Sequence, residues 1–122
     1  MLSKSFMASV FVLLMVAPAF ADASSCYEPI PPAAVDGGAV SVQQMKAAHD
    51  DVVNFIKASD DYQLCLNADF LAQKEQAKKD KKQLDPSIEA DVSARIDGNQ
   101  SLKEKVGAEF NTAVAAYKAK HP

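Results

Sequence analysis

The sequence contains few of the residues from which catalytic sites are built. Its 122 residues include two histidines and two cysteines, so few side chains are present to act as bases or nucleophiles. The chain has no G-x-S-x-G, no H-E-x-x-H, no C-x-x-C and no glycine-rich phosphate loop. We therefore predict that the protein is not an enzyme and that it holds no cofactor.

The chain also lacks a strong charge of one sign and a long apolar run. Its formal net charge is −3, whereas nucleic-acid binding requires a strongly basic face. The longest apolar run, residues 6–16, is shorter than the roughly 20 residues that a transmembrane helix needs, and no second run follows. We predict that the mature chain has no nucleic-acid partner and no transmembrane segment.

The first 21 residues have the organisation of a secretory signal peptide. Lys4 gives a positively charged start, residues 6–16 are apolar, and Ala19-Phe20-Ala21 forms an A-x-A cleavage site. Cleavage near Ala21 would remove 21 of the 122 residues and leave 101, which is enough for one small domain. We predict a protein that works in the periplasm or outside the cell.

Both cysteines, Cys26 and Cys65, lie beyond this segment and would enter an oxidising compartment. An even number of cysteines usually pairs there, and the absence of C-x-x-C favours a structural bond over a redox-active one. We predict a Cys26–Cys65 disulfide. Attachment of a lipid to Cys26 is a competing hypothesis, although the residues before it lack the leucine-like residue of a lipidation site.

Residues 22–40 form a segment rich in proline and glycine. Pro29, Pro31 and Pro32 prevent a helix, and Gly37-Gly38 is typical of a turn. The segment is therefore predicted to be an extended arm.

The predicted disulfide would tie this arm to the helical part of the chain. The stretch from Cys26 to Ser41 is long enough to reach Cys65, at about 3.1 Å per residue of arm against about 1.5 Å per residue of helix. The arm would then cover the seam between two helices. The side chains that would lie over the seam are Tyr27, Ile30 and Val35. A mobile arm is the alternative, because the two glycines add slack.

Two helix starts follow the arm. Ser41 can accept a hydrogen bond from the amide of Gln44, and Gln44 can reach back, which together make a capping box. Asp85-Pro86 is the second start, with aspartate at the N-cap and proline in the first turn. We predict helices over about residues 41–82 and 86–119.

Each predicted helix has one apolar face, with residues recurring at steps of three and four. The face of the first helix consists of Met45, Ala48, Val52, Phe55, Ser59, Tyr62, Leu66, Phe70, Gln73 and Ala77. The face of the second consists of Ile88, Val92, Ile96, Asn99, Leu102, Val106, Phe110, Ala113 and Tyr117. Ser59-Asp60-Asp61 or Gly98-Asn99 could interrupt a helix, but we predict that both helices are continuous.

The two helix starts and the two apolar faces predict an all-α fold. It is an antiparallel, coiled-coil-like two-helix hairpin, with the extended arm tethered to it by the disulfide. If the turn is centred near Leu84, Tyr62 lies opposite Val106 and Phe55 lies opposite Ala113.

Candidate binding residues are few. His49 and His121 fall near the open end of the predicted hairpin, where a metal ion or a small ligand could bind. However, His49 has no ligand one turn away and His121 lies at the terminus, so we predict no metal site. A lysine cluster could bind an anionic envelope surface, or simply complement the helix dipole. The cluster consists of Lys74, Lys78, Lys79, Lys81 and Lys82.

Five segments of the chain carry a resemblance to known proteins. They are Cys26 with its proline-rich arm, Tyr62-Gln63-Leu64-Cys65-Leu66, Asn99-Gln100, Lys103 to Gly107, and Phe110 to Lys118. These segments resemble small, uncharacterised secreted proteins of Gram-negative bacteria. The resemblance covers most of the mature chain and implies a periplasmic two-cysteine helical hairpin. It carries no established activity, so no functional residue is transferred.

Together these observations predict an exported, non-enzymatic helical module of the periplasm that binds a protein partner or associates with itself. A protein that binds a metal ion or a small ligand at the open end of the hairpin is the alternative. Docking on the envelope through the lysine cluster is a third possibility.

Overall fold

The protein is a two-helix hairpin with a non-helical arm. The computed structural model describes residues 25–122, so the predicted signal peptide and its cleavage site lie outside the described residues. Within that range the chain forms α1 (Val42–Lys79) and α2 (Pro86–Lys120), and no strand. Neither helix contains a stretch long and apolar enough to cross a membrane. The prediction of an all-helical hairpin is confirmed.

The predicted capping box starts α1. The side chain of Ser41 accepts a hydrogen bond from the amide of Gln44 at 3.2 Å, and the side chain of Gln44 accepts one from the amide of Ser41 at 2.8 Å. These two bonds satisfy amides that have no partner within the helix. The helix then passes through Ser59-Asp60-Asp61 without a break, as predicted.

A Schellman motif ends α1. Lys81 adopts a left-handed conformation with φ of 52°, and its amide donates to the carbonyl of Lys78 at 3.2 Å. The amide of Lys82 donates to the carbonyl of Ala77 at 2.9 Å, which completes the motif. α1 therefore ends at Lys79, before the predicted end at residue 82.

Asp85 and Pro86 start α2, as predicted. The carboxylate of Asp85 accepts a hydrogen bond from the amide of Ser87 at 2.9 Å, and Pro86 stands where no amide donor is needed. The hydrogen bond from the backbone of Ser87 lowers the pKa of Asp85 below its ordinary value of 3.8. α2 continues through Gly98 without a break, as predicted, although an internal glycine costs about 1 kcal/mol.

The two helices pack along one face each. The buried residues of α2 are spaced by seven, at Val92, Asn99, Val106 and Ala113. Those of α1 are Met45, Ala48, Phe55, Ser59, Tyr62 and Leu66. Seven-residue spacing, and steps of three and four, are those of a coiled-coil seam. All of these buried residues belong to the predicted inner faces.

The register between the helices differs from the predicted one. Ser59 contacts Asn99, and the hydroxyl of Tyr62 accepts a hydrogen bond from Arg95 at 3.1 Å. The prediction that Tyr62 lies opposite Val106 is therefore wrong. It assumed that both helices start level at the turn, whereas α1 projects past the start of α2 and residues 80–85 bring the chain back.

Candidate functional site

The disulfide anchors one end of the arm on the hairpin. Cys26 and Cys65 are bonded, with their Cα atoms 5.7 Å apart, so the predicted pairing is confirmed. Cys26 is 7% exposed and belongs to a buried apolar cluster with Tyr62, Leu66 and Val92. The bond uses the sulfur to which a lipid would be attached, so Cys26 in this structure cannot carry a lipid.

A glycine anchors the other end of the arm. A Cβ placed on Gly37 would lie 1.7 Å from the carbonyl oxygen of Ala113, so the arm approaches α2 more closely than any side chain permits. A short turn holds the glycine there. The carboxylate of Asp36 accepts a hydrogen bond from the amide of Gly38 at 3.0 Å, and the backbone carbonyl of Asp36 accepts one from the amide of Ala39 at 3.0 Å. The sequence predicted the turn but not this contact.

Between the two anchors, every third residue of the arm faces the hairpin. Cys26, Pro29, Pro32 and Val35 are buried or half-buried, whereas the residues between them are exposed. A repeat of three residues per turn is that of a polyproline II helix, which the prolines favour.

This three-residue period corrects the predicted coverage of the seam. Val35 is half-buried, as a covering residue should be. Tyr27 and Ile30, which were predicted to cover the seam, are 88% and 90% exposed. Each of them follows an inward-facing position by one residue, so its side chain points to solvent.

A buried polar layer crosses the middle of the hairpin. Ser59 and Asn99 have no exposed surface, and the side-chain amide of Asn99 donates to the hydroxyl of Ser59 at 3.2 Å. The oxygen of the Asn99 side chain accepts a hydrogen bond from Gln63 at 2.8 Å, and Lys103 pairs with Asp60 nearby. Such a layer fixes the register of two helices, because a slip would leave buried polar groups unpaired.

The sequence placed Ser59 and Asn99 on the inner faces but did not predict that they meet. The signal was available, because each is a polar residue within an apolar stripe of its own helix. Predicting that Ser59 and Asn99 meet requires the register of α1 against α2, and this register depends on where α1 ends.

α1 carries a second, exposed face on the side opposite its inner face. We call it the α1 outer face, and it consists of Lys57, Asp61, Leu64, Ala68, Leu71, Glu75 and Lys78. Leu64 and Leu71 are 68% and 61% exposed and are seven residues apart. The ammonium of Lys57 donates to Asp61 at 2.7 Å, and this hydrogen bond raises the pKa of Lys57 above its ordinary value of 10.5. The outer face thus combines exposed leucines with charges of both signs.

The two histidines make separate contacts. The ring of His49 lies 5.9 Å from the ring of Phe110, and its Nδ1 is 3.3 Å from a carboxylate oxygen of Asp50. The ring of His121 stacks on Tyr117 at 4.2 Å. Tyr117 lies seven residues beyond Phe110, roughly 10 Å along α2, so the structure does not bring the histidines together. In residues 25–122, no three histidine, cysteine or acidic side chains are grouped so that they could hold a metal ion.

The lysine cluster surrounds the C-terminal end of α1. Its members Lys74, Lys78, Lys79, Lys81 and Lys82 are all exposed. The ammonium of Lys74 lies 5.3 Å from the centre of the Phe70 ring, while Lys78 and Lys79 are in the last turn of the helix. Positive side chains at this end of a helix complement its dipole. Docking of the cluster on an anionic surface stays a prediction.

A cavity lies between the arm and the open end of the hairpin. Its volume is about 270 Å³. Residues 32–35 and Val40 of the arm line one side, and residues of α1 and α2 between 44–52 and 106–110 line the others. No sequence pattern signals this cavity, because the cavity depends on the path of the arm between its two anchors.

We compared the chain with protein families, curated proteins and solved structures. No family model, curated protein or solved structure matches the chain. The resemblance to small secreted two-cysteine proteins of Gram-negative bacteria therefore stays a prediction, and function has to be argued from the site itself.

Proposed function

We propose that the protein is an exported, non-enzymatic interaction module of the periplasm, and that two copies associate through the α1 outer face. The observation that carries the proposal is the pair of exposed leucines, Leu64 and Leu71, spaced by seven residues on a helix face that nothing in residues 25–122 covers.

The disulfide supports the exported location. Disulfides form and persist in oxidising compartments such as the periplasm and are rare in the cytosol. The bond between Cys26 and Cys65 joins two parts of the chain 39 residues apart and buries Cys26 in the apolar cluster. This is the arrangement of a structural bond, and the A-x-A site ending at Ala21 in the sequence agrees with export.

The spacing of the outer face supports association with another helix. Its residues follow one another at steps of four and three from Lys57 to Lys78, which is the repeat of a coiled-coil seam. Leu64, Ala68 and Leu71 form its apolar centre and are all exposed. Burial of these side chains against a second helix removes apolar surface from water and stabilises the complex.

The charges of the outer face support a second copy of the chain as the partner. In an antiparallel pairing with a two-fold axis level with Leu66, Leu64 of one copy lies opposite Ala68 of the other. The same pairing sets Lys57 opposite Glu75, and the symmetry repeats this contact at the other end of the seam. Each Lys57 then lies between Asp61 of its own helix and Glu75 of the second copy.

Sedimentation equilibrium of the oxidised mature protein tests the proposal. We expect a reversible dimer with a Kd below about 1 mM. A Kd of about 1 mM corresponds to a free energy of association of about −4 kcal/mol. Lys57→Glu and Glu75→Lys should each weaken the dimer by about fivefold, because each sets like charges opposite one another twice. The double variant reverses both charges and should recover the dimer.

The control is Lys118→Glu, an exposed charge reversal on α2 outside the α1 outer face, which should leave the association unchanged. A strict monomer at the highest concentration contradicts the proposal. So does a double variant that associates no better than the single ones.

A further inference from the structure

We propose that the cavity beneath the arm binds a small primary ammonium compound with a short apolar chain. This goes beyond self-association, since the cavity shares no residue with the α1 outer face. Three features carry the proposal: the size of the cavity, its apolar walls, and the acidic residues that line it.

The size of the cavity limits the ligand. The volume of the cavity is about 270 Å³. Ligand cavities in proteins usually span about 300–1,000 Å³, so this one lies at the small end of the range. A single short chain or a single ring matches a cavity of this size.

The walls favour an apolar body. Val40 from the arm, Val52 from α1 and Phe110 from α2 all line the cavity, and each is only half-buried by the protein. An alkyl chain placed against these side chains completes their burial, which is favourable because it removes apolar surface from water. Three separate parts of the chain thus present apolar groups to one space.

The charged groups favour a cation. Asp51 and Glu109 line the cavity, and no lysine or arginine lines it among the described residues. Glu109 already pairs with Lys105 at 2.7 Å. Asp51 makes no ion pair or hydrogen bond within residues 25–122, so its carboxylate is free to accept from an ammonium group. An anionic ligand would lie beside two acidic residues and is disfavoured.

The test is an amide NMR titration of the oxidised mature protein with three probes of one chain length: hexylammonium, hexanol and hexanoate. We expect hexylammonium to bind with a Kd on the order of 1 mM, as a ligand of this size allows, and to shift the amides around Asp51 and Phe110. Hexanol should bind more weakly and hexanoate most weakly. No saturable shift with hexylammonium, or equal binding of hexanol, overturns the proposal.

Two matched variants separate recognition by Asp51 from an effect of net charge. Asp51→Asn should weaken hexylammonium binding about threefold to fivefold and leave hexanol binding unchanged. Asp97→Asn makes the same charge change at an exposed position of α2 outside the cavity and should have no effect. Equal losses in both variants would show that no specific contact is made, and would overturn the proposal.

A third variant tests the location of the site. Ala47 is exposed and lines the cavity, so Ala47→Phe should fill the space without disturbing the packing between the helices. We expect it to abolish the binding of both hexylammonium and hexanol. Unchanged binding in a folded Ala47→Phe variant would place the ligand elsewhere and contradict the proposal.

Discussion

Removing the disulfide should destabilise the protein strongly. In the double variant Cys26→Ala, Cys65→Ala the arm keeps its contact at Gly37 but loses its covalent anchor on α1. Alanine keeps the buried position of Cys26 apolar, so the change acts mainly through the link itself.

The size of the effect follows from the length of the loop. The two cysteines are 39 residues apart. In the chain-entropy model, opening a loop of this length raises the entropy of the unfolded chain by roughly 13 cal/mol/K, or about 4 kcal/mol at 25 °C. Domains are stable by only about 5–15 kcal/mol, so this is a large part of the total. For a domain of roughly 100 residues it corresponds to a fall in Tm of about 15–30 °C.

Urea unfolding followed by circular dichroism measures this difference. The oxidised protein, the reduced protein and the double variant are compared, and the reduced protein should match the variant. A loss below about 1 kcal/mol would contradict this prediction, because it would mean that the link does not restrict the unfolded chain or that the arm does not belong to the folded unit.

Three further predictions follow from the packing and the caps. Gly37→Ala should lower the free energy of unfolding by about 1–3 kcal/mol, because the added Cβ has no room against α2. Gly38→Ala is the control and should not lower it, because its Cβ would meet its nearest atom at 3.4 Å. Equal effects of the two variants in urea unfolding would contradict the close contact. Asn99→Ala should cost about 1–3 kcal/mol in the same assay, and adding Ser59→Ala should recover part of it, because no buried hydroxyl is then left unpaired. Asp85 has a lowered pKa, so its cap contributes stability above pH 3.8 and loses it as the pH falls through the lowered pKa. The stability difference between the wild type and Asp85→Asn should therefore shrink over that acid range, and a constant difference there would contradict the cap.

Much of the fold could be predicted from local signals. The capping box at Ser41 and the pair Asp85-Pro86 place the starts of both helices, since each uses side chains within three residues of the amides they satisfy. The apolar stripes identify the buried faces, because their spacing depends only on the pitch of the helix. The disulfide followed from the count of two cysteines in a chain with a predicted signal peptide.

The features that sequence reasoning missed depend on distances across the fold. The end of α1 at Lys79 depends on the left-handed conformation of Lys81. Glycine is the residue that usually marks such a position, so a lysine does not indicate a helix end. The register between the helices depends in turn on where α1 ends. The orientation of Tyr27 and Ile30 depends on the three-residue period of the arm, which only becomes visible when the arm lies on a surface.

Neither the α1 outer face nor the cavity beneath the arm was predicted from the sequence. The exposed leucines could be found as apolar residues outside the inner stripe of α1, but their exposure depends on which sides the arm and α2 cover. The cavity beneath the arm could not be predicted, because its walls come from three segments that the sequence does not place next to one another.

Export and the disulfide are tested together by the intact mass of the protein, isolated without reductant from the periplasmic fraction of cells that express it. The mass is measured before and after treatment with a thiol-alkylating reagent. We expect a chain that begins at Asp22, lacks both thiol hydrogens of Cys26 and Cys65, and takes up the reagent only after reduction. Two free thiols in the exported protein, or an acyl group on an amino-terminal Cys26, would contradict it.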